Sequence, residues 1–256
     1  MKQIAFYIGL TFLSISCRNN YYIPNTPNVV LPKDKGELEL QVGLSEGFDI
    51  QASYTPLKNI GIMYNYNRYE LDHSNNSSEL GTLNELGLGV YGSSSNSLIR
   101  YSLFGGYGIH NYKGEYKLIG DFSDLQANKS FIQANIGLKG GHGELSLFYR
   151  ISNLHYTNVN YHVDENVNQA DRMYLDTLAD KKNIGYITVG TQIGFGWEQF
   201  KFKLMGSIKG RTTAMPGISS DIVLYKIAIL LSYNINTGGI FNKKGIRNKS
   251  DKTWTD

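Results

Sequence analysis

The sequence predicts an all-β protein: a closed antiparallel transmembrane β-barrel of about ten strands, with eight or twelve as the alternatives. Three observations lead to this prediction. Apolar and polar residues alternate with a period of two in ten segments, the polar positions are rich in Gly, Ser and Asn, and short connections alternate with long ones. Barrel strands alternate in this way because one face meets lipid and the other meets the lumen.

The composition excludes several other classes of protein. The chain has 256 residues with 12% aromatics, a mean hydropathy of −0.30 and one cysteine. The aromatic content argues against disorder, and no apolar run after residue 16 is long enough for a membrane helix. A single cysteine excludes a disulfide scaffold or a Cys-based zinc site, and the net charge of +3 is too small to indicate nucleic acid.

The N-terminus has the pattern of a secretory signal peptide, predicted over residues 1–16. Lys2 precedes an apolar run from Ile4 to Leu13, and Ser14-Ile15-Ser16 leads to the single cysteine, Cys17. This cut region is similar to a lipobox, with Ser14 where Leu is usual; an ordinary signal peptide is the alternative. The pattern predicts a diacylglycerol and an N-acyl chain such as palmitate on Cys17, and no other cofactor or metal.

Residues 17–35 are predicted to form a lipidated periplasmic linker, because three of the five prolines fall there. The barrel follows over residues 36–235, and a basic tail over residues 236–256 is predicted to be periplasmic. The alternating segments within the barrel are 37–44, 48–54, 60–67, 85–90, 99–107, 131–139, 144–152, 187–197, 200–209 and 225–234.

A soluble sandwich would also alternate, but the polar faces here are rich in Gly, Ser and Asn and the apolar faces end in aromatics, which favours lipid. Connections at 56–58, 93–96, 140–143 and 198–199 are short, whereas those at 70–80, 112–130, 155–182 and 211–221 are long. Short periplasmic turns and long external loops are typical of outer-membrane barrels. We therefore expect periplasmic termini and a lipid anchor in the periplasmic leaflet. The predicted aromatic girdle comprises Tyr54, Tyr66, Trp197, Tyr225 and Tyr233.

Because side chains alternate between the two faces of a strand, the charged residues at the polar positions are predicted to point into the lumen. Unpaired charge is costly there, so we expect these residues to form ion pairs with one another. Glu39 is predicted to face Lys226, because closure brings the first strand beside the last. A filled barrel is the expectation, and a narrow ion path is the alternative. The predicted network comprises Glu37, Glu39, Asp49, Glu85, Arg100, Lys139, Glu144, Arg150, Lys201, Lys203 and Lys226.

The predicted loops carry the remaining candidates for chemistry. Histidines and carboxylates there suggest a rim hydrolase as an unfavoured alternative, since nothing in their spacing fixes a catalytic arrangement. Loop carboxylates do not follow the calcium-loop spacing, and 171–180 is predicted to form a short helix over the barrel mouth. No catalytic residue is assigned; the residues considered are Asp72, His73, His110, His142, His155, His162, Asp164, Glu165, Asp171, Asp176 and Asp180.

The start of the mature chain resembles small Bacteroidota-type outer-membrane barrel lipoproteins. The resemblance rests on Cys17 followed by Tyr22-Ile23-Pro24-Asn25, on Lys35-Gly36-Glu37, and on the segments 51–54 and 59–62. That group has no well-defined activity. The resemblance and the barrel pattern imply a non-enzymatic scaffold or accessory subunit of an outer-membrane assembly. Its expected partners are outer-membrane lipid and other outer-membrane or periplasmic proteins, without nucleic acid.

Overall fold

The computed structural model describes residues 25–73, 77–116, 121–162, 169–212 and 224–237. Ten strands form a closed barrel in which each strand pairs antiparallel with its sequence neighbours and β1 closes on β10. The prediction of ten strands is confirmed. The elements are β1 (Glu37–Leu44), β2 (Phe48–Leu57), β3 (Ile60–His73), β4 (Ser77–Ser93), β5 (Ile99–Tyr116), β6 (Asp121–Lys139), β7 (Gly143–His162), α1 (Gln169–Lys181), β8 (Asn183–Gly196), β9 (Phe200–Arg211) and β10 (Leu224–Asn236).

An apolar belt surrounds the outside of the barrel. On β5 the outward residues from Ile99 to Ile109 are apolar apart from Gly105, and the next outward positions are Asn111, Lys113 and Glu115. Ten residues on a strand tilted by ~40° rise roughly 25 Å, which matches the apolar band of outer-membrane barrels. We call the end where β1 begins and β10 ends the lower end, and the opposite end the upper end.

The strands from β3 to β8 continue above the belt, which corrects the predicted long loops. Residues 70–80 and 112–130 lie mostly in strands, and His155–His162 is the end of β7, paired with β6. The alternation changes sign in this upper part: Leu125 and Ala127 point inward, and Gln126 is exposed. Above the belt the outer surface of the barrel faces water, so the apolar side chains of the strands lie on the inner face instead.

The interior of the upper part is an apolar cluster that includes the helix. Leu175 and Leu178 of α1 are fully buried in it, so the helix predicted over the barrel mouth forms over residues 169–181. Among the described residues no helix is long and apolar enough to cross a membrane. The strands contribute Tyr69, Leu83, Tyr112, Leu125, Ala127, Leu154, Tyr156, Ile184 and Tyr186.

The segment before β1 lies inside the barrel. Residues 25–32 have no regular secondary structure and are all buried. The prediction that residues 17–35 run outside the barrel as a periplasmic linker is therefore wrong for residues 25–32. Gly36 makes the turn into β1: its φ of 80° is a conformation that glycine adopts without steric cost, and its N–H donates to the Thr55 carbonyl at 2.7 Å.

Candidate functional site

Residues 25–32, here called the plug segment, are bonded to the wall near the middle of the barrel. The Asn25 amide donates to the Glu85 carboxylate on β4 at 2.7 Å. The Thr26 hydroxyl donates to the Asp49 carboxylate on β2 at 2.7 Å, and the Gln51 amide donates to the Thr26 carbonyl at 2.8 Å. These bonds satisfy buried polar groups that would otherwise destabilise the interior.

Further down, wall side chains from other strands bind the plug backbone. The Gln133 amide on β6 donates to the carbonyl of Asn28 at 2.8 Å. The Ser102 hydroxyl on β5 donates to the Val30 carbonyl at 2.6 Å. Because extended chain has no internal hydrogen bonds, these wall donors supply the partners that its buried carbonyls require.

Apolar side chains of the plug segment pack on opposite sides of the lumen. Val30 packs with residues of β3, β5 and β6, whereas Val29 and Leu31 pack with residues of β7, β9 and β10. Phe104 and Phe148 belong to these two clusters and occupy luminal space beside the plug segment. The wall members are Met63, Phe104 and Phe131 on the first side and Phe148, Met205, Ala228 and Leu230 on the second.

Near the lower end, a group of five side chains forms what we call the lower charge cluster: Glu39, Lys139, Glu144, Lys201 and Lys203. Lys139 Nζ lies 3.1 Å from Glu39 Oε2, and Lys203 bridges Glu39 and Glu144, with 3.0 Å to Glu144 Oε1. Lys201 Nζ lies 3.4 Å from Glu144 Oε2. The cluster joins β1, β6, β7 and β9 across the interior.

Level with Asn25 lies the upper charge cluster, defined as Glu85, Lys129 and Arg150. Lys129 Nζ lies 2.7 Å from Glu85 Oε1 and Arg150 Nη1 lies 3.1 Å from Glu85 Oε2, with all three side chains almost completely buried. Arg150 also donates to Gln133 Oε1 at 2.7 Å. One carboxylate thus receives two cations and the plug amide of Asn25.

The remaining predicted network residues lie elsewhere. Glu37 accepts the backbone N–H groups of Lys33 and Asp34 at the lower end, and Asp49 binds the plug segment. Arg100 donates to the Leu31 carbonyl at 3.1 Å. The predicted pair of Glu39 and Lys226 is wrong.

The register of the closing strands explains that error. Glu39 lies opposite Asn234 on β10, eight residues from Lys226 along the strand. Lys226 pairs with Ser207 of β9, above the end of β1. Strand adjacency was predicted correctly, but tilt and stagger decide which residues meet.

Sequence reasoning missed part of the site. Lys129 was assigned to a loop, although the alternation of β6 continues through it once the inward apolar residues are recognised. Gln133 and Asn65 lie in two of the predicted alternating segments but were not among the predicted site residues; both bind within the upper charge cluster. The plug segment had no periodic signal that could have revealed it.

The described members of the predicted girdle lie on the outside. Tyr54, Trp197 and Tyr233 are exposed, Trp197 most of all at 70%, and all three lie toward the lower end. Tyr66 is half-buried and lies opposite Ile50, near the upper end of β2. The side chain of Tyr225 lies outside the described residues, as do Cys17, the signal peptide and residues 238–256.

The rim candidates form no catalytic arrangement among the described residues. His155 pairs with Asn183 at 3.0 Å, and His162 stacks on Phe122. His110 is fully buried in the lumen, and His142 is exposed in a lower turn. Within the described ranges no group of His, Cys, Asp and Glu is arranged to hold a metal. Asp176 and Asp180 are exposed on α1, and Asp176 accepts a hydrogen bond from Tyr161; the side chains of Asp72, His73, Asp164, Glu165 and Asp171 lie outside the described residues.

No protein-family model and no curated protein matches the sequence. Among solved structures, the chain is similar to the N-terminal β-barrel domain of Pseudomonas aeruginosa OprF at 10% identity, over 79% of this chain and 100% of that one, with a TM-score of 0.31. It is similar to the KdgM porin at 9% identity, over 77% and 98%, with a TM-score of 0.31. A loop-deletion mutant of OmpT, an outer membrane protein of Vibrio cholerae, matches at 10% identity over 78% and 97%, with a TM-score of 0.26. These likenesses concern the fold alone.

Proposed function

We propose that the protein is a non-enzymatic outer-membrane β-barrel that acts as a scaffold or accessory subunit of a larger outer-membrane assembly. The observation that carries this proposal is the plug segment, which fills the lumen of a barrel whose outside is an apolar belt. Because the protein's own chain fills the lumen, the surfaces of the barrel and its upper strands are the parts that remain available for a function. Association with outer-membrane or periplasmic proteins is the role that such surfaces support.

The charge clusters support the same proposal. Each cluster joins non-adjacent strands through the lumen, and removing one partner of such a buried ion pair destabilises a protein by several kcal/mol, on the order of 3–5. The clusters therefore hold separate strands of the wall together beside the plug segment. Water and ions would have to displace these pairs to pass.

A narrow channel for ions or small solutes is the second candidate. The plug segment is held by hydrogen bonds and apolar contacts, so its release would uncover a charged lumen. In both charge clusters lysine and arginine outnumber carboxylates, so an open lumen would favour anions. A rim hydrolase has no comparable support.

Lipidation belongs to the proposal as well. The apolar run Ile4–Leu13 and the lipobox-like sequence before Cys17 support a signal peptide and a diacylglycerol and N-acyl anchor, such as palmitate. The residues shared with Bacteroidota-type lipoproteins support that origin. Metabolic labelling with palmitate, lost in Cys17→Ser, tests the anchor; label that persists in this variant contradicts it.

Planar-bilayer recording tests whether the barrel is closed. The full chain should give no steady conductance, whereas a chain lacking residues 25–32 should give discrete, anion-favouring steps. A refolding check by heat-dependent gel mobility shows that the shortened chain is a barrel. Steady conductance of the full chain would favour the channel.

Isolation from native membranes in mild detergent tests the scaffold role. One envelope protein in fixed stoichiometry with the barrel is expected. A barrel that is recovered alone after chemical cross-linking in cells would contradict the role.

A further inference from the structure

We infer that the lumen of the barrel is a binding site for an extended, uncharged peptide with asparagine at its first and fourth positions. The plug segment, Asn25-Thr26-Pro27-Asn28-Val29-Val30-Leu31-Pro32, occupies this site as the chain's own ligand. Contacts with the wall hold it there, so its covalent link to β1 is not needed for binding. The inference goes beyond the proposed scaffold role, because it assigns a class of ligand to the interior.

The wall recognises the backbone of the plug segment at four of its eight residues. The carbonyl groups of residues 26, 28, 30 and 31 each accept a hydrogen bond from a wall side chain. Every peptide offers such carbonyl groups, so these contacts require an extended backbone but no particular side chains. The donors lie on β2, β5 and β6 and are Gln51, Arg100, Ser102 and Gln133.

The side chain of Asn25 is recognised at both ends of its amide. Asn25 Nδ2 donates to Glu85 Oε2 at 2.7 Å, and Asn25 Oδ1 accepts from Lys129 Nζ at 3.2 Å. A carboxylate only accepts and an ammonium only donates, so these two partners fix the orientation of the amide. An aspartate at this position would place a second carboxylate against Glu85, and an alanine would lose both hydrogen bonds. The first position of the ligand therefore requires an amide.

The side chain of Asn28 is recognised in the same way, three residues further along the segment. Asn28 Nδ2 donates to the Ala52 carbonyl on β2 at 3.1 Å, and Asn28 Oδ1 accepts from Gln41 Nε2 on β1 at 3.3 Å. Asn28 is completely buried, so water cannot replace these partners. Because a backbone carbonyl cannot donate, an aspartate here would place a carboxylate oxygen against it. The fourth position of the ligand therefore requires an amide as well.

The second half of the ligand is selected by its apolar side chains. Val29 and Leu31 pack in one luminal cluster and Val30 packs in the other, with all three side chains buried. Successive side chains of an extended chain point to opposite sides, which matches this division. A charged side chain at any of these positions would be buried among apolar residues at a high cost in free energy. The ligand is therefore uncharged and apolar in this part.

The connection between the plug segment and β1 lies apart from these contacts. Lys33, Asp34 and Lys35 are exposed at the lower end, where Glu37 accepts the N–H groups of Lys33 and Asp34. A cut after Asp34 leaves the contacts of residues 25–32 with the wall in place. The segment can therefore be separated from β1 without a change inside the lumen.

Cleavage of the folded protein tests the inference. The unlipidated chain from Cys17 to Asp256 is refolded in detergent with a protease recognition site inserted after Asp34, and a fluorescent dye is attached to Cys17, the single cysteine. After cleavage, the dye-labelled fragment should remain with the barrel in gel filtration. Its rate of release is then measured at urea concentrations at which heat-dependent gel mobility shows a folded barrel.

Two variants of the same chain show whether the asparagines are recognised. The chain with both Asn25→Ala and Asn28→Ala should release the fragment at least about tenfold faster than wild type, because buried hydrogen bonds are lost at both amides. Lys33→Ala, at an exposed position beside the cut, is the control and should release the fragment at the wild-type rate.

Equal release rates in wild type, the double variant and the control would overturn the inference. Immediate release from all three would mean that the segment is not bound without its covalent link, and release only on unfolding would mean that it is merely enclosed. Neither measurement depends on the membrane placement or on a partner protein, so the scaffold role and this inference can fail separately.

If the double variant does not refold, competition with a free peptide gives the same comparison. Cleaved wild-type protein is incubated in the urea series with an excess of unlabelled peptide of residues 25–34. This peptide should displace the dye-labelled fragment, and the same peptide with Asn25→Ala and Asn28→Ala should not. Equal displacement by the two peptides, or displacement by neither, overturns the inference.

Discussion

The ammonium of Lys139 on β6 lies 3.1 Å from the carboxylate of Glu39 on β1, across the interior of the barrel. Glu39 also accepts from Lys203 on β9 and from the Ser232 hydroxyl on β10 at 2.9 Å. One carboxylate therefore ties four strands together at the lower end. Its side chain is the best single position at which to weaken the barrel from inside.

Replacing Glu39 by glutamine should destabilise the folded barrel by about 3–5 kcal/mol, because two buried ammonium groups lose a carboxylate. Denaturant unfolding of the refolded protein in lipid vesicles measures this. Glu70→Gln is the control: its pair with Arg68 is largely exposed, so its loss should cost under about 1 kcal/mol. Equal effects of the two substitutions would contradict the structural role of the cluster.

Replacing Glu85 by glutamine should loosen the plug segment at its upper end. The substitution removes the charge that holds Lys129, Arg150 and the Asn25 amide together. In a Cys17→Ser background, a thiol at Val29→Cys, which leaves the Asn25 amide in place, should react slowly with a water-soluble reagent and faster once Glu85→Gln is added. Glu79→Gln, in the upper part of the same strand, is the comparison. Unchanged reactivity with Glu85→Gln would show that this carboxylate does not hold the segment.

Two glycines on neighbouring strands should respond differently to replacement by alanine. A Cβ at Gly190 would lie 2.4 Å from the Phe148 ring and 2.5 Å from the Gly206 carbonyl, whereas a Cβ at Gly206 has no atom within 4 Å. Overpacking should lower stability by about 1–3 kcal/mol in Gly190→Ala and leave Gly206→Ala within about 0.5 kcal/mol of wild type. Denaturant unfolding in lipid vesicles measures both variants. If Gly190→Ala is as stable as the wild type, the side chains around Gly190 are packed less closely than the structure shows.

Truncating the inner face of α1 should free the helix without unfolding the barrel. Leu178 is fully buried, so Leu178→Ala should cost about 2–5 kcal/mol locally, whereas Met173→Ala, at an exposed position, should cost little. Limited proteolysis of folded protein should therefore cut the helix faster in Leu178→Ala only. Equal cleavage of both variants would contradict the packing of the helix in the upper barrel.

The period-two pattern predicted the strands within the belt well, because lipid on one side and lumen on the other impose it directly. The first segment, 37–44, coincides with β1. Above the belt the outer face of the barrel is polar and the inner face is apolar, so the strands there have the reverse pattern. Leu125 points inward and its neighbours point outward, and the pattern of apolar outward residues therefore ends near Ser130. Strand extensions there were read as loops.

The candidate site was less accessible to sequence reasoning. Parity placed Glu39, Glu85 and Arg150 on inner faces, but partners across a tilted barrel depend on stagger, which no local pattern contains. The position of the plug segment could not be predicted from the sequence for another reason. Residues 25–32 are extended and aperiodic, and the prolines in and beside them are as typical of a solvated linker as of a chain bound inside a lumen.

The position of the plug segment is measured most directly by cross-linking Thr26 to Asp49, whose side-chain oxygens lie 2.7 Å apart. In a Cys17→Ser background, Thr26→Cys with Asp49→Cys is treated with a bifunctional thiol reagent of short span, and the loop formed is detected by gel mobility after unfolding. Thr26→Cys with Glu115→Cys is the matched control. Nearly complete cross-linking of the first pair alone is expected; two freely reactive thiols without a cross-link would contradict a lumen closed by the chain's own N-terminal segment.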